Sequence, residues 1–230
     1  MLAAFTVAVL CLCTWAYISS KRSGDGVDRE LENLGSPRLA PRLEGKAVIC
    51  GGGISGLLAA KTCLTHFQTV VLIDPEFSKS LSGGPKSRVM QYHSFHLYLF
   101  LFVKGLSRLW PSFEQKAREI GWQSLYLSQP SHFLDGTYVK SLMEGKAPFL
   151  GFRRGTLETL LDSLLVDELA EEEKRRLTII EGTVRGVRRT SEGIAILSIY
   201  GKGIDEKSFE LDNIDLVIGG ALQAPTLHTM

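Results

Sequence analysis

The hydrophobic pattern of the chain opens on an uncharged apolar run, Leu2 to Ile18, closed by Lys21 and Arg22. As a helix rising roughly 1.5 Å per residue, the run would cross about 25 Å of hydrocarbon, near the lower limit for a membrane span. A cleaved signal peptide is the rival reading, but it calls for a basic residue before the apolar stretch, and MLAAF supplies none; a buried helix is the third. Because the basic pair follows the run, the positive-inside rule puts the rest of the chain in the cytoplasm. Residues 1–22 are therefore read as a single-pass anchor, expected in the endoplasmic reticulum membrane. Residues 23–45 are polar with Gly and Pro and read as a linker, so the folded part is expected to begin near Lys46.

From there the pattern alternates between two periods. Lys46 to Cys50 is short, apolar and β-rich, as a strand buried on both faces should be, and Thr69 to Ile73 is a second such strand. Between them Leu57 to His66 reads as a helix. A Gly/Ser/Pro loop at Ser78 to Ser87 follows, then an apolar helical run from Phe95 to Trp110, a helix from Pro111 to Ile120 and irregular chain to Phe152. In the helical run, the face Phe95, Leu99, Phe102, Leu106 and Leu109 is expected to be core. A helix from about Thr156 to Ala170 leads to a strand at Leu177 to Ile180; the KRR at Lys174 to Arg176 is expected to be a solvated helix end. Thr183 to Arg189, Ile194 to Tyr200 and Ser208 to Leu211 then alternate as a three-stranded antiparallel meander, before a buried strand at Asp215 to Ile218.

Composition changes this picture little. A chain of 230 residues with 44% hydrophobic content can bury one good-sized core, and a net charge of +1 gives no field that would gather nucleic acid. The four cysteines, Cys11, Cys13, Cys50 and Cys63, are too few and too oddly placed for a disulfide framework, and no Cys or His spacing suits a metal.

The candidate chemistry lies in VICGGGISGLLAAKTC, Val48 to Cys63, where Gly51, Gly53 and Gly56 satisfy a G-x-G-x-x-G spacing directly after a strand and before a helix. In such a turn the first glycine permits the tight bend, the second lets a pyrophosphate approach, and the third lets helix and strand pack closely. Phosphate would rest on the free N–H groups and positive dipole end of the helix that begins near Ser55. Asp74, at the end of the second strand, is placed to accept hydrogen bonds from both ribose hydroxyls of an adenosine and argues against a 2′-phosphate. A glycine turn that joins strand to helix without any ligand is the plainer alternative. A nicotinamide-binding domain would go on quickly to a third strand through another helix, and the long excursion after Asp74 does not.

GGGISGLLAA followed by VVLIDPE resembles the first unit of the FAD-dependent aromatic-ring hydroxylases and epoxidases typified by p-hydroxybenzoate hydroxylase. SRVMQYHSFHLYL, Ser87 to Leu99, is similar to a segment of one branch that usually reads close to RPGVPQGRHLHALL, with Gln91 and His96 matching and His93 and Ser94 departing. GFRRGTLETLL is similar to the family's Arg-x-x-Leu-Glu helix start through Arg154, Leu157 and Glu158, and IDLVIGG resembles a late strand in which Asp215 is retained. The resemblance implies an α/β fold: a Rossmann-like FAD/NAD(P)-binding domain with a parallel sheet and a three-stranded meander, here preceded by the transmembrane helix. It also implies that Gly51, Gly53, Ile54, Ser55, Gly56, Asp74, Gln91 and Arg154 bind FAD. Arg154 is read either as a contact to a flavin phosphate or ribityl hydroxyl or as a surface ion pair, and His96 as a core histidine or a cofactor contact. The implied activity is a monooxygenase that reduces FAD with NAD(P)H, adds dioxygen, and hydroxylates or epoxidises an apolar small molecule such as a membrane-soluble terpenoid or polyketide; no catalytic acid or base is singled out. An NAD(P)-dependent reductase and a non-catalytic dinucleotide-binding remnant stand as alternatives. Family members continue past this point into a Gly-Asp segment, so residues 46–220 are expected to form an incomplete FAD-binding domain with a divergent tail at 221–230.

Overall fold

The computed structural model of the chain describes residues 29–36, 38–125, 132–134, 137–139, 149–190, 193–200, 211 and 213–219. The expected anchor, the divergent tail and residues 208–210 of the expected third meander strand lie outside the described residues. Among the described residues no helix is long and apolar enough to cross a membrane.

The chain builds a mixed α/β domain on a six-stranded sheet of order β8-β2-β1-β11-β10-β9. Strand β1 (Leu43–Cys50) lies between β2 (Phe67–Ile73) and β11 (Ile214–Gly219), parallel to both, and β8 (Leu177–Ile180) adds a fourth parallel strand beside β2. Strands β9 (Thr183–Thr190) and β10 (Gly193–Tyr200) form an antiparallel hairpin whose β10 continues the sheet antiparallel to β11. A central parallel strand meets neighbours on both edges and layers on both faces, which is why Ala47, Val48 and Ile49 are fully buried in succession.

Strand periodicity splits the interior. Ala47, Ile49, Val70 and Leu72 point to the face covered by α1 (Ile54–His66), α3 (Phe100–Leu109), α4 (Phe113–Glu119) and α5 (Arg154–Asp167). Val48, Val71, Ile73 and Ile214 point to the other, where Val184 and Val187 of β9 pack against them. Helix α1 buries Gly56, Leu57, Ala60, Cys63 and Leu64, the stripe expected of a helix lying along a sheet. Between β2 and α3 lies the short α2 (Phe77–Leu81). A second sheet has the order β3-β7-β4 (Phe95–Tyr98, Phe149–Arg153, Gln123–Leu125), and β5 (His132–Leu134) pairs with β6 (Thr137–Val139).

Several expectations are corrected. The run Phe95 to Trp110 is not one helix: Phe95–Tyr98 is strand β3, Leu99 turns in extended conformation, and helix begins at Phe100. Its first residues alternate outward and inward, and the inward ones, His96 and Tyr98, stand opposite the buried Phe152 and Leu150 of β7, so cross-strand packing overrides helix propensity. Of the expected core face, Leu106 and Leu109 are buried and Phe102 packs against the core, whereas Phe95 and Leu99 are 60% and 64% exposed. The Ser78 to Ser87 loop is in part the helix α2, and the chain before Phe152 contributes β4 and β7. Arg176, expected to be solvated, donates from Nη1 to the carbonyls of Leu64 (2.6 Å) and Phe67 (2.9 Å), tying α6 (Glu171–Arg176) to the end of α1. Leu211 lies outside any strand. Within the segment read as linker, residues 29–33 are helical and Leu34 packs against the core, while β1 already begins at Leu43.

Candidate functional site: the glycine turn

The turn from β1 into α1 uses its glycines for three different physical reasons. Gly51 sits at φ +109°, a backbone conformation closed to other residues without strain, and its N–H donates to the Ile73 carbonyl at 2.8 Å. A Cβ on Gly56 would stand 1.8 Å from the Gly51 carbonyl oxygen, so only glycine lets the helix come this close to the turn. A Cβ on Gly53 would meet nothing within 4 Å: the backbone there faces open space.

Gly53 is also the N-cap of α1, and no side chain caps it. The first bond of the helix runs from the Leu57 N–H to the Gly53 carbonyl, which leaves the N–H groups of Ile54, Ser55 and Gly56 without an intrahelical acceptor. No acidic residue occupies the first turn, so the positive end of the helix dipole is not offset from within the helix. Orphan amides, uncompensated dipole and an absent side chain thus coincide at one point. The residues fit a diphosphate there.

Asp74 is held beside this turn. Its Oδ2 accepts from the Gly52 N–H at 2.8 Å and its Oδ1 from the Glu76 N–H at 2.9 Å, and its own N–H donates to the Ile180 carbonyl at 3.0 Å. The residue is buried, 7% exposed, and with about four lone-pair directions its carboxylate keeps acceptor capacity beyond these bonds.

No local pattern points to Lys86. Its ammonium is buried, donates to the Gly52 carbonyl at 2.7 Å, and lies 3.5 Å from Asp74 Oδ2 and 3.9 Å from Glu158 Oε2. Glu158 in turn accepts from Arg154 Nε at 2.9 Å. A continuous polar chain therefore runs from the helix start of α5 through Glu158 and Lys86 to the glycine turn and Asp74. Arg154, read either as a cofactor contact or as an ion pair, makes the ion pair, with its side chain 32% exposed and its other nitrogens free of any bond within that pair. The readable signal was the spacing of Arg154, Glu158 and Asp162, four residues apart on an otherwise leucine-rich helix.

Asp162 completes the stripe. Burial pushes its carboxyl up to about 7, against the pull of Ser80 and Lys86. The Ser80 hydroxyl is near enough to act on it without meeting hydrogen-bond geometry, so both Asp162 oxygens lack a partner among the described residues. An acid in this setting holds its proton near neutral pH.

The remaining expected residues are placed as follows. Gln91 is exposed in the turn before β3, one residue from Tyr92, whose carbonyl accepts from the Gly155 N–H; the Ser94 carbonyl accepts from the Arg154 N–H. The backbone thus brings the Gln91 segment to the start of α5. His96 lies in a strand rather than a helix, its ring 6.0 Å from that of Tyr98 and its Nε2 buried, which is the core reading. A cavity of about 360 Å³ lies against α5, lined in part by Tyr92, His93, Arg153 and Thr156, and shares no residue with the glycine turn. Cys50 and Cys63 are free thiols, and burial raises the pKa of Cys50 to about 11, which keeps it protonated and inert.

Neither a protein-family model nor a curated protein matches the sequence. Among solved structures, the chain is similar to FqzB at 15% identity and a TM-score of 0.46, with 81% of this chain and 37% of that one covered. It is similar to 2-methyl-3-hydroxypyridine-5-carboxylic acid oxygenase (13% identity, TM-score 0.45, 76% and 39% covered). It is also similar to CtdE in complex with FAD (13% identity, TM-score 0.41, 77% and 38% covered). The chain spans under two-fifths of the length of each of these structures.

Proposed function

We propose that the chain binds FAD and is a membrane-anchored, FAD-dependent monooxygenase or the N-terminal part of one. The observation that carries this reading is the coincidence at Gly53 of open space, an uncapped helix start and an acid held at the end of the second strand. In this reading the amides of Ile54, Ser55 and Gly56 hold the pyrophosphate, Asp74 accepts from the adenosine ribose with its remaining lone pairs, and Arg154, its Nε held by Glu158, turns its other nitrogens toward a phosphate or ribityl hydroxyl. Gln91 joins them from the segment packed against α5.

Bound FAD would supply hydride acceptance from NAD(P)H and activation of dioxygen; the protein binds and orients it and excludes water. The substrate class is an apolar small molecule delivered from the membrane, with the folded part on the cytoplasmic side of the endoplasmic reticulum. The topology favours flavin over a nicotinamide coenzyme as the resident dinucleotide, because the next parallel strand in chain order after β2 is β8, reached only after the whole excursion from Asp74 to Arg176.

Equilibrium dialysis of the full chain against FAD and against NADH tests the reading. Saturable FAD binding with a flavin-coloured protein is expected. Tight NADH binding without flavin would replace it with the reductase reading, and saturation by neither would leave a fold without a cofactor.

A further inference from the structure

Strand β3 has two apolar faces, and only one of them is covered. His96 and Tyr98 face inward over Phe152 and Leu150, while Phe95 and Leu97 point the other way and are 60% and 47% exposed. The apolar surface continues through Leu99, Phe100 and Leu101 at the start of α3 (64%, 40% and 51% exposed), and Met90 just before the strand is 99% exposed. Large aromatic and leucine side chains gathered in one exposed patch mark a contact surface rather than ordinary scatter.

Charge states what kind of contact. From Phe77 through Phe113 the chain has no Asp or Glu, although the whole protein carries 25 acids against 26 Lys and Arg. The cations of the stretch include Arg88 and Arg108, both exposed, and Arg153 stands directly opposite Phe95 in the β3–β7 register, exposed on the same outer face. Exposed aromatics and leucines on an acid-free stretch of chain, with the exposed Arg153 beside them, match the interfacial zone of a bilayer with anionic headgroups.

The chain's path adds a second argument. A Cβ on Gly105 would lie 3.7 Å from Leu34 and 3.8 Å from Leu31, so the segment leading from the N-terminus rests on the middle of α3. Five residues of helix, about 7.5 Å, separate Gly105 from Phe100 at the patch. Residues 19–28 can reach at most about 35 Å. An apolar run ending at Ile18 would therefore enter the membrane within reach of the exposed face.

We propose that the outer face of β3 and the first turn of α3 rest on the surface of an anionic bilayer, as a second membrane contact beside the N-terminal anchor. The inference rests on the anchor part of the proposed function and not on its flavin part, so FAD binding can succeed while this fails.

The full chain is reconstituted in phosphatidylcholine vesicles containing phosphatidylserine, with a photoreactive benzophenone amino acid at Leu97 or, as a control, at Glu172 on the exposed α6. Irradiation is expected to give a lipid adduct at position 97 and not at 172. Leaving out phosphatidylserine, or introducing Arg153→Glu, is expected to lower the adduct at least about threefold, as loss of roughly 1 kcal/mol per cation implies. An adduct from position 97 to residues 1–28 or to a second copy of the chain would overturn the proposal. So would equal lipid adducts at both positions, or none at 97 in chain that co-floats with the vesicles.

Discussion

The three glycines of the turn are separable by substitution, because each is required for a different reason. Gly56→Ala places a Cβ against a backbone oxygen that cannot swing away, and the expected cost is about 3 kcal/mol or more, read as a lowered urea midpoint at unchanged slope. Gly53→Ala has room for its Cβ and is expected to leave stability within about 0.5 kcal/mol. Asp162 gives a prediction of opposite sign to that of most carboxylates. Its folded pKa, about 7, lies above the unfolded value, so the folded state binds the extra proton between the two and stability falls as pH rises from about 4 to about 7, then levels off. Asp162→Asn, which keeps the shape and removes the titration, is expected to match the parent near pH 4 and to exceed it by on the order of 4 kcal/mol above pH 7, measured by urea unfolding across that range. A difference that does not change with pH would contradict the burial of a protonated acid. At this scale the glycines and Asp74 were legible because their spacing is fixed by the local chain. Lys86 was not: it reaches Gly52 across 34 residues from a Gly-Pro-Lys loop that reads as solvated.

At the scale of elements, long periodic segments were legible and short ones depended on partners. Helices α1 and α5 and strands β1, β2 and β8 follow from their own patterns. The split of Phe95 to Trp110 does not, since four alternating residues satisfy a strand or a helical stripe equally well until β7 is opposite them. Arg176 shows the same dependence: a basic residue at a helix end is ordinarily solvated, and here it serves as the cap for another helix. Arg176→Ala removes two charge-assisted bonds to the carbonyls of Leu64 and Phe67, and is expected to destabilise by about 1.5–3 kcal/mol, with faster hydrogen exchange at the end of α1 than in its middle. Uniform exchange along α1 in the variant would show that the bonds carry no local load.

For the whole molecule, an α/β class with a parallel sheet was legible from alternating strand and helix patterns, and the strand order was not. That β11 pairs with β1, and that β8 lies beside β2, are pairings between distant segments which no local pattern encodes. The order nonetheless decides the site: β1 becomes central, its carboxyl end lies between β2 and β11, and the glycine turn opens at that end, where ligands of open α/β sheets bind. The most direct test compares FAD affinity of the full chain with that of Gly53→Val, whose fold is checked by circular dichroism and thermal melting. Unchanged melting with at least tenfold weaker binding, about 1.4 kcal/mol, is the expected result, because the new methyls occupy the open space above the helix start. Equal affinity in the folded variant would mean that no phosphate rests there.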